Sequence, residues 1–554
     1  MIKTISVILS LTALASSAMP SPGRKLSPDI ETLDPQSTVK VIVQWKGQTN
    51  TANDSKVALR GGKKFSHLKS IKAGAYVLSA ASVKDLANDP EVAHISIDHP
   101  LHAKLDNTAG AINASAAWTN GFTGSNIGVA LIDSGINGDP DLSLLSGAGT
   151  RIVYVEDFTQ PNSSPLTSSV GNVLLGASSR PNQYGQDLYG HGQHIAGIIG
   201  GNGTSSACLN CTRQFVGAAP KANLLDLRVL DQNGESSDSM VIAAIDRAIQ
   251  LKDTYNVRVI NLSLGRPVFE SYTEDPLCQA VEAAWKAGIV VVVAAGNDGR
   301  DNSFGTFGYG TINSPANDPY VITVGAMKTM GTPVRTDDLI ASYSAKGPTQ
   351  VDHIVKPDLV APGNWVVSLQ VPSATLETQN PSNAVPLTYY QSSSWVNYGK
   401  NSQSYFILSG TSMAAGVVSG AVADLLQANP NLTPDQVKLL LMATAYKTFP
   451  QSSSVYDAAT QQTYTSYYDP FTIGAGYLDL GAALASSNTV PAGVTAMSPV
   501  AVYDSTTGSV TFAFDSSSVW ASSSVWATSS VWATSSVWAS SSVWASDILT
   551  KGEK

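Results

Sequence analysis

The sequence predicts an α/β protein: a three-layer, mostly parallel sheet flanked by helices, preceded by a small α+β domain and followed by a low-complexity tail. Three observations carry this expectation. Apolar Val/Ile/Leu runs alternate with helix-compatible stretches between about 106 and 487, a shorter strand and helix alternation precedes them, and a six-residue repeat follows. With 554 residues, 43% hydrophobic and 14% charged, the chain suffices for a large core and more than one unit.

Taken in order, residues 1–18 read as a signal peptide: "MIK" supplies a positive end, "TISVILSLTALA" an apolar stretch and "ASSA" a small-residue cleavage site near Ala18. The apolar run falls short of the ~20 residues that cross a bilayer. With low charge and 45 Gly, this predicts a secreted, extracellular protein. Residues 19–105 alternate "STVKVIVQW", a basic helix-compatible stretch "SKVALRGGKKFSHLKSIK", "AGAYVLSA", "SVKDLANDP" and "VAHISID", which predicts strand, helix, strand, helix, strand. Residues 106–487 carry "IGVALIDSG", "ANLLDLRVL", "RVINLSLG", "IVVVVAAGN" and "YVITVGAM", with helical patterns such as "SMVIAAIDRAIQ" and "LCQAVEAAWKAG" between them. Nearly continuous apolar strands alternating with helices indicate a parallel sheet buried on both faces. Its ligand crevice is expected at the carboxyl ends of the strands. Residues 488–554 form the tail, where "SSVWA" recurs and places Trp520, Trp526, Trp532, Trp538 and Trp544 six apart. An extended chain would align all five indoles on one face.

Charge separates the two folded parts. Residues 19–105 hold 12 Lys/Arg against 8 Asp/Glu, whereas the chain as a whole carries −9. A basic N-terminal part and an acidic body attract one another, and the acidity argues against nucleic acid as a partner.

The chemistry centres on "SGTSMAAG", in which Ser412 opens a small-residue helix. A serine hydroxyl needs a base to become a nucleophile. Four of the seven histidines (His67, His94, His99, His102) lie in the N-terminal part, leaving His191, His194 and His353. In "DLYGHGQHIAGIIGG", His191 sits between glycines at a helix mouth; His194, one turn further in, reads as packed core. The base needs a carboxylate to hold its tautomer, and "VALIDSGI" ends an apolar strand in Asp133. A developing oxyanion needs a donor, and "VVVVAAGNDG" ends in Gly296 and Asn297, although Asn beside Gly also suits a plain turn.

Together these segments resemble the subtilisin-like serine peptidases. "DSG" (133–135), "HGQH" (191–194), "INLSLG" (260–265), "AAGN" (294–297), "KPDLVAPG" (356–363) and "GTSMAAG" (410–416) look like that family's blocks, in its order. The resemblance implies a secreted serine endopeptidase made as a self-processing zymogen. By it, Asp133, His191 and Ser412 form the catalytic triad, Asn297 contributes to the oxyanion hole, and Ser263, Leu264 and Gly265 form one wall of the substrate pocket. It implies protein or peptide substrates, no cofactor for the chemistry, and residues 19–105 as an inhibitory propeptide that is a partner of the mature enzyme. Calcium is common in the family as a structural ion; Asp187 and the region of Asp139 offer oxygens, but no ligand loop can be assigned. The acidic loop "NGESSDS", with Glu235 and Asp238, matches the family's distal subsites and suggests either a mild preference for basic residues there or a plain solvated acidic loop. Two rival readings are a catalytically dead member that binds peptides and a processing protease with one substrate.

Three departures from the family pattern stand out. Gln193 replaces the usual Thr beside the base. Gly416 and Val417 replace Pro-His after "SMAA", which predicts looser geometry at Ser412. The polar stretch 368–405 looks like an inserted loop, either rimming the crevice or elaborating the surface. Of the three cysteines, "CLNC" (Cys208, Cys211) suggests a local disulfide. The Trp repeat suggests stacking on a sugar, a cell-surface polymer or another tail, unless it is a slippage product without a ligand.

Overall fold

The computed structural model describes residues 25–27, 30, 33–68, 72–97, 104–105, 107–144, 149–160, 166–167, 185–303, 305–392, 397–486, 493, 495–514, 549 and 552–553. Residues 1–18, expected as a signal peptide, and the five repeat tryptophans lie outside them. The chain divides into two units, residues 1–102 and 103–554.

The smaller unit is an antiparallel sheet of β1 (Thr38–Trp45), β2 (Lys63–Leu68), β3 (Ala73–Ser79) and β4 (Val92–Ile97), in the order β2-β3-β1-β4. Helices α1 (Thr51–Ala58) and α2 (Ala80–Leu86) join the strands. Alternating side chains of β1 bury Val41, Val43 and Trp45 against Tyr76, Leu78, Val83, Leu86 and Ile95. Asn50 opens α1 with a capping box to Asn53, and Ser79 caps α2. One expectation is corrected. The stretch 55–72 holds a helix end and then strand β2, because Gly61, at φ +75°, and Gly62 stop the helix and the following "KKFSHL" pairs with β3. His67 in that strand is bound to Asp54, with Nε2 2.9 Å from the carboxylate.

The larger unit is built on β5 (Gly128–Asp133), β6 (Ile152–Asp157), β7 (Leu166–Thr167), β8 (Asn223–Arg228), β9 (Val257–Leu262), β10 (Val290–Ala294), β11 (Ile322–Lys328), β12 (Leu339–Ile340) and β13 (Leu359–Asn364). The order is β12-β11-β10-β9-β5-β8-β6-β7, with β13 also on β11; all pairings are parallel except β11–β12 and β6–β7. The main helices are α3 (His191–Gly200), α4 (Asp238–Gln250), α5 (Pro276–Lys286), α6 (Thr411–Ala428) and α7 (Pro434–Thr444). Strands β5 and β10 are buried along their whole length, as two covered faces require. The three-layer, mostly parallel α/β expectation therefore holds.

The inserted stretch is more ordered than a polar loop. Val366–Leu369, Ala384–Pro386 and Asn401–Leu408 pair in a three-stranded sheet, and Leu376, Val385, Tyr390 and Tyr405 are buried. Cys208 and Cys211 form the local disulfide, while Cys278 is a buried thiol whose pKa burial pushes up. Beyond the expected end of the sheet domain, residues 500–504 and 509–513 form a hairpin. Just before it, the Ser498 hydroxyl is buried between Lys438 and Asp358. Among the described residues, no helix is long and apolar enough to cross a membrane.

Candidate active site

The carboxyl ends of β9 and β10 deliver Ser263 and Asn297 to one cleft, the N-termini of α3 and α6 deliver His191 and Ser412, and the carboxyl end of β5 delivers Asp133 to His191. The cleft encloses about 1720 Å³, counting space open to solvent. It is lined by His191, Ser412, Asn297, Ser263, Leu264 and Gly265 among others. Those six predicted residues therefore face one space, and Asp133 stands behind His191.

Asp133 is buried, and its Oδ1 lies 2.8 Å from His191 Nδ1. The same oxygen accepts from the Ser134 N–H at 2.7 Å, so strand-end backbone and histidine converge on it. Ser134 Oγ in turn accepts from the Gly192 N–H at 2.8 Å, tying the strand end to the first turn of α3. Burial acts to lower the pKa of His191, but the charge and hydrogen bond of Asp133 outweigh it and leave the ring above its ordinary value. His191 is 4% exposed, so the proton it holds is shielded from bulk water.

Helix α3 contains Gly192, Gly197 and Gly200, residues that weaken an isolated helix by about 1 kcal/mol each. Packing explains them. A Cβ on Gly192 would lie 2.4 Å from Gly135 O, and one on Gly197 would lie 2.3 Å from Ser368 Oγ. The start of the helix is held by Asp187, which is 1% exposed. Its Oδ1 accepts from the N–H groups of Tyr189 (3.0 Å) and Gly190 (2.7 Å), and its Oδ2 accepts from Gln193 N–H (2.7 Å). Gln193 is buried with its Oε1 accepting from Asn137 N–H at 2.8 Å, so the amide fills the place of the family's Thr with a satisfied bond. His194 is packed core as expected: Nε2 lies 3.1 Å from Val366 O and 3.2 Å from Phe406 O, and burial lowers its pKa to about 3.

Ser412 occupies the first turn of α6 and is 5% exposed. Its Oγ donates to Ser263 O at 3.1 Å, and no hydrogen bond joins it to His191 among the described residues. The backbone is pinned independently: Ser263 Oγ donates to Ser412 O at 2.9 Å, Asn261 Nδ2 donates to Ser263 Oγ, and Ser419 Oγ donates to Asn261 Oδ1. Turning Oγ from Ser263 O towards His191 exchanges one hydrogen bond for another, a small cost next to the fixed backbone.

Asn297 faces the same turn. Its Oδ1 accepts from Thr411 N–H at 3.0 Å, and Thr411 Oγ1 lies 3.2 Å away. A backbone N–H can only donate, so the amide oxygen must face α6 and Nδ2 is left as the cleft-side donor. Gly410, at φ +151°, brings the chain past this amide, where a Cβ would lie 3.3 Å from Nδ2. The Ser412 N–H, in a first turn that has no intrahelical acceptors, is the second donor available there.

Gly416 does not loosen α6. A Cβ there would stand 3.2 Å from Ile198 Cγ2 and 3.3 Å from Ile195 Cγ2, so the missing side chain lets α6 lie close against α3. Asp238 is bound by Arg266, with Nε 3.0 Å from both carboxylate oxygens, which leaves Glu235 as the exposed acid of that loop. The inserted stretch is tied to the segment that precedes His191: Thr375 N–H and Leu376 N–H donate to Leu188 O and Tyr189 O at 3.0 and 2.9 Å. The carboxylates considered for calcium are engaged by protein donors. Asp187 and Asp139 accept backbone N–H groups, Asp141 accepts from Ser205 N–H and Tyr405 O–H, and no cluster of three or more metal-ligating side chains occurs among the described residues.

Sequence reasoning missed the supporting set Ser134, Asn261, Ser419 and the capping role of Asp187. The last had a signal, an Asp shortly before "HGQH" and six residues before Gln193, where a helix N-terminus needs an acceptor.

A hydroxyl at a helix start, a histidine bonded to a buried carboxylate and an amide donor around a long open cleft define a serine hydrolase able to take extended chains. Comparison with known proteins agrees. The subtilase family profile matches residues 124–474. Serine protease AprX of Bacillus subtilis is 33% identical over 380 residues, covering 67% of this chain and 74% of its own. Subtilisin E of the same organism is 32% identical over 416 residues (73% and 85%), and an extracellular serine proteinase of Thermus is 31% identical over 360 residues (64% and 67%). The chain belongs to the subtilase family and is a serine endopeptidase that acts on protein or peptide substrates.

Proposed function

We propose that Ser412 is the nucleophile, His191 the general base and acid, Asp133 the residue that orients His191, and Asn297 with the Ser412 N–H the oxyanion donors of a secreted endopeptidase made as a self-processing zymogen. The observation that carries the reading is the 2.8 Å contact between buried Asp133 and His191 Nδ1. It fixes the tautomer that leaves Nε2 free to take the Ser412 proton. Ser412 Oγ attacks the peptide carbonyl as His191 accepts its proton. The carbonyl oxygen, now charged, meets the two donors, and His191 returns the proton to the leaving amine. Water then hydrolyses the acyl-enzyme by the same route.

Residues 263–265 are assigned to the substrate-binding wall because they line the cleft beside Ser412. Such an edge suits an extended peptide that adds as a strand. Residues 1–18 are assigned as signal peptide, 19–105 as inhibitory propeptide, 106–487 as the peptidase domain and 488–554 as the tail. The basic character of residues 19–105 against an acidic body favours the propeptide assignment. The Thermus relative's description as extracellular favours secretion. The test is expression of the chain after Ala18 beside its Ser412→Ala variant, read by intact mass. Loss of about 80–90 N-terminal residues in the Ser412 form alone supports the reading. Processing of both forms, or of neither, contradicts self-maturation.

A further inference from the structure

The larger unit holds a buried acid contributed by the residues that follow the Trp repeat. Glu553, next to last in the chain, is 3% exposed. Its Oε2 lies 3.0 Å from Arg300 Nη2 and accepts from the Ser342 N–H at 2.8 Å, while Oε1 pairs with Lys328 Nζ. Its backbone is read as well: the N–H donates to Asn364 Oδ1 and the carbonyl accepts from Asn364 Nδ2, both at 2.7 Å. Four segments far apart in sequence thus converge on one glutamate, and Lys328, Ser342 and Asn364 are themselves buried. Removing a carboxylate from water is unfavourable unless it is paired and hydrogen-bonded, and here it is both.

The neighbouring residues extend the contact. Gly552 stands at φ +61° against Ser409 and Trp365, where a Cβ would lie 2.4 Å from Ser409 Oγ and from the indole, so only glycine fits. Leu549 O accepts from Ser409 N–H at 2.7 Å, three residues before Ser412, and Leu549 lines the cleft that holds Ser412, His191 and Asn297.

We propose that Arg300, Lys328, Ser342 and Asn364 form a binding socket for a glycyl-glutamate segment, that its ligand is the chain's own Gly552 and Glu553, and that docking there holds Leu549 in the substrate cleft as a competitor of substrate. The competition rests on the cleft being the peptidase site; the socket does not. A docked fraction of chains lowers the binding-competent fraction and raises KM without altering kcat.

Two measurements on the full chain test this. In the first, a labelled peptide Asp-Ile-Leu-Thr-Lys-Gly-Glu-Lys is titrated by anisotropy into Ser412→Ala and into Ser412→Ala with Glu553→Gln, which needs no catalysis. The expected result is binding about tenfold or more tighter to the double variant, whose own tail docks poorly, and loss of that binding for the peptide with Gln in place of Glu. Equal affinity for both proteins, no binding to either, or indifference to the Glu to Gln change overturns the socket. In the second, Leu549→Gly, which leaves the Glu553 contacts in place, is expected to lower KM for a peptide substrate by about threefold or more with kcat unchanged. An unchanged KM overturns the competition, and does so even where Glu553→Gln impairs folding.

Discussion

Replacing Asp187 by Asn removes a charge and one acceptor from the start of the helix that carries His191. In the native arrangement one carboxylate oxygen serves two N–H groups and the other serves one. An amide keeps its oxygen for Tyr189 and Gly190, so its NH2 must face the Gln193 N–H, donor against donor. The orphaned N–H costs about 1–3 kcal/mol. Losing the negative charge adds nothing to this, because burial outweighs the charge's favourable contacts and leaves the Asp187 pKa raised. The net expectation is a loss of about 1–3 kcal/mol, measured by urea unfolding in a Ser412→Ala background that cannot digest itself. With Ser412 present, kcat falls because the first turn of α3 shifts His191 away from Asp133. The losses persist with EDTA in both proteins, since both oxygens already serve amides. Wild-type stability together with unchanged kcat/KM refutes the reasoning.

Three further outcomes follow from the same geometry. Asn297→Ala lowers kcat by about 10²–10³ with KM little changed, because the amide acts on charge that appears only in the transition state; steady-state kinetics on a peptide anilide checks this. The acid limb of kcat/KM lies above pH 6.5, since the base must be neutral and Asp133 raises the His191 pKa; in Asp133→Asn the residual activity has its limb below 6.5, because burial, the largest influence, then outweighs the remaining pull of the Asp187 charge. Gly420→Ala destabilises by about 1–3 kcal/mol, because a Cβ there lies 2.7 Å from Ala218 Cβ and 3.1 Å from Ile199 O, and chemical unfolding reads it.

Strand ends and helix starts were the legible parts of this sequence. Asp133 and Asn297 stand where apolar runs of the parallel sheet stop, which the sheet turns into one edge, and Ser412 stands where a small-residue helix starts. The capping of α3 was less legible because Asp187 could as well have been a cation ligand; only the directions of three N–H groups decide it. Glycine was misleading in Gly416, where propensity predicts a weak helix and the neighbouring Ile195 and Ile198 make the absent Cβ a packing requirement. The stretch 368–405 read as loop because its apolar residues are few and irregularly spaced, yet Leu376, Val385 and Tyr390 suffice to seat it. Long-range polar contacts left no local trace at all: nothing around Glu553 signals that Arg300 and Lys328 receive it.

The central claim is that Ser412 is a nucleophile activated by His191 held on Asp133. A fluorophosphonate probe tests it most directly, because it forms a covalent adduct only with an activated serine. After reaction, peptide mapping by mass spectrometry is expected to place a single adduct on Ser412, absent in Ser412→Ala and strongly slowed in His191→Ala. An adduct on another serine, or labelling of Ser412 at the same rate without His191, contradicts the account.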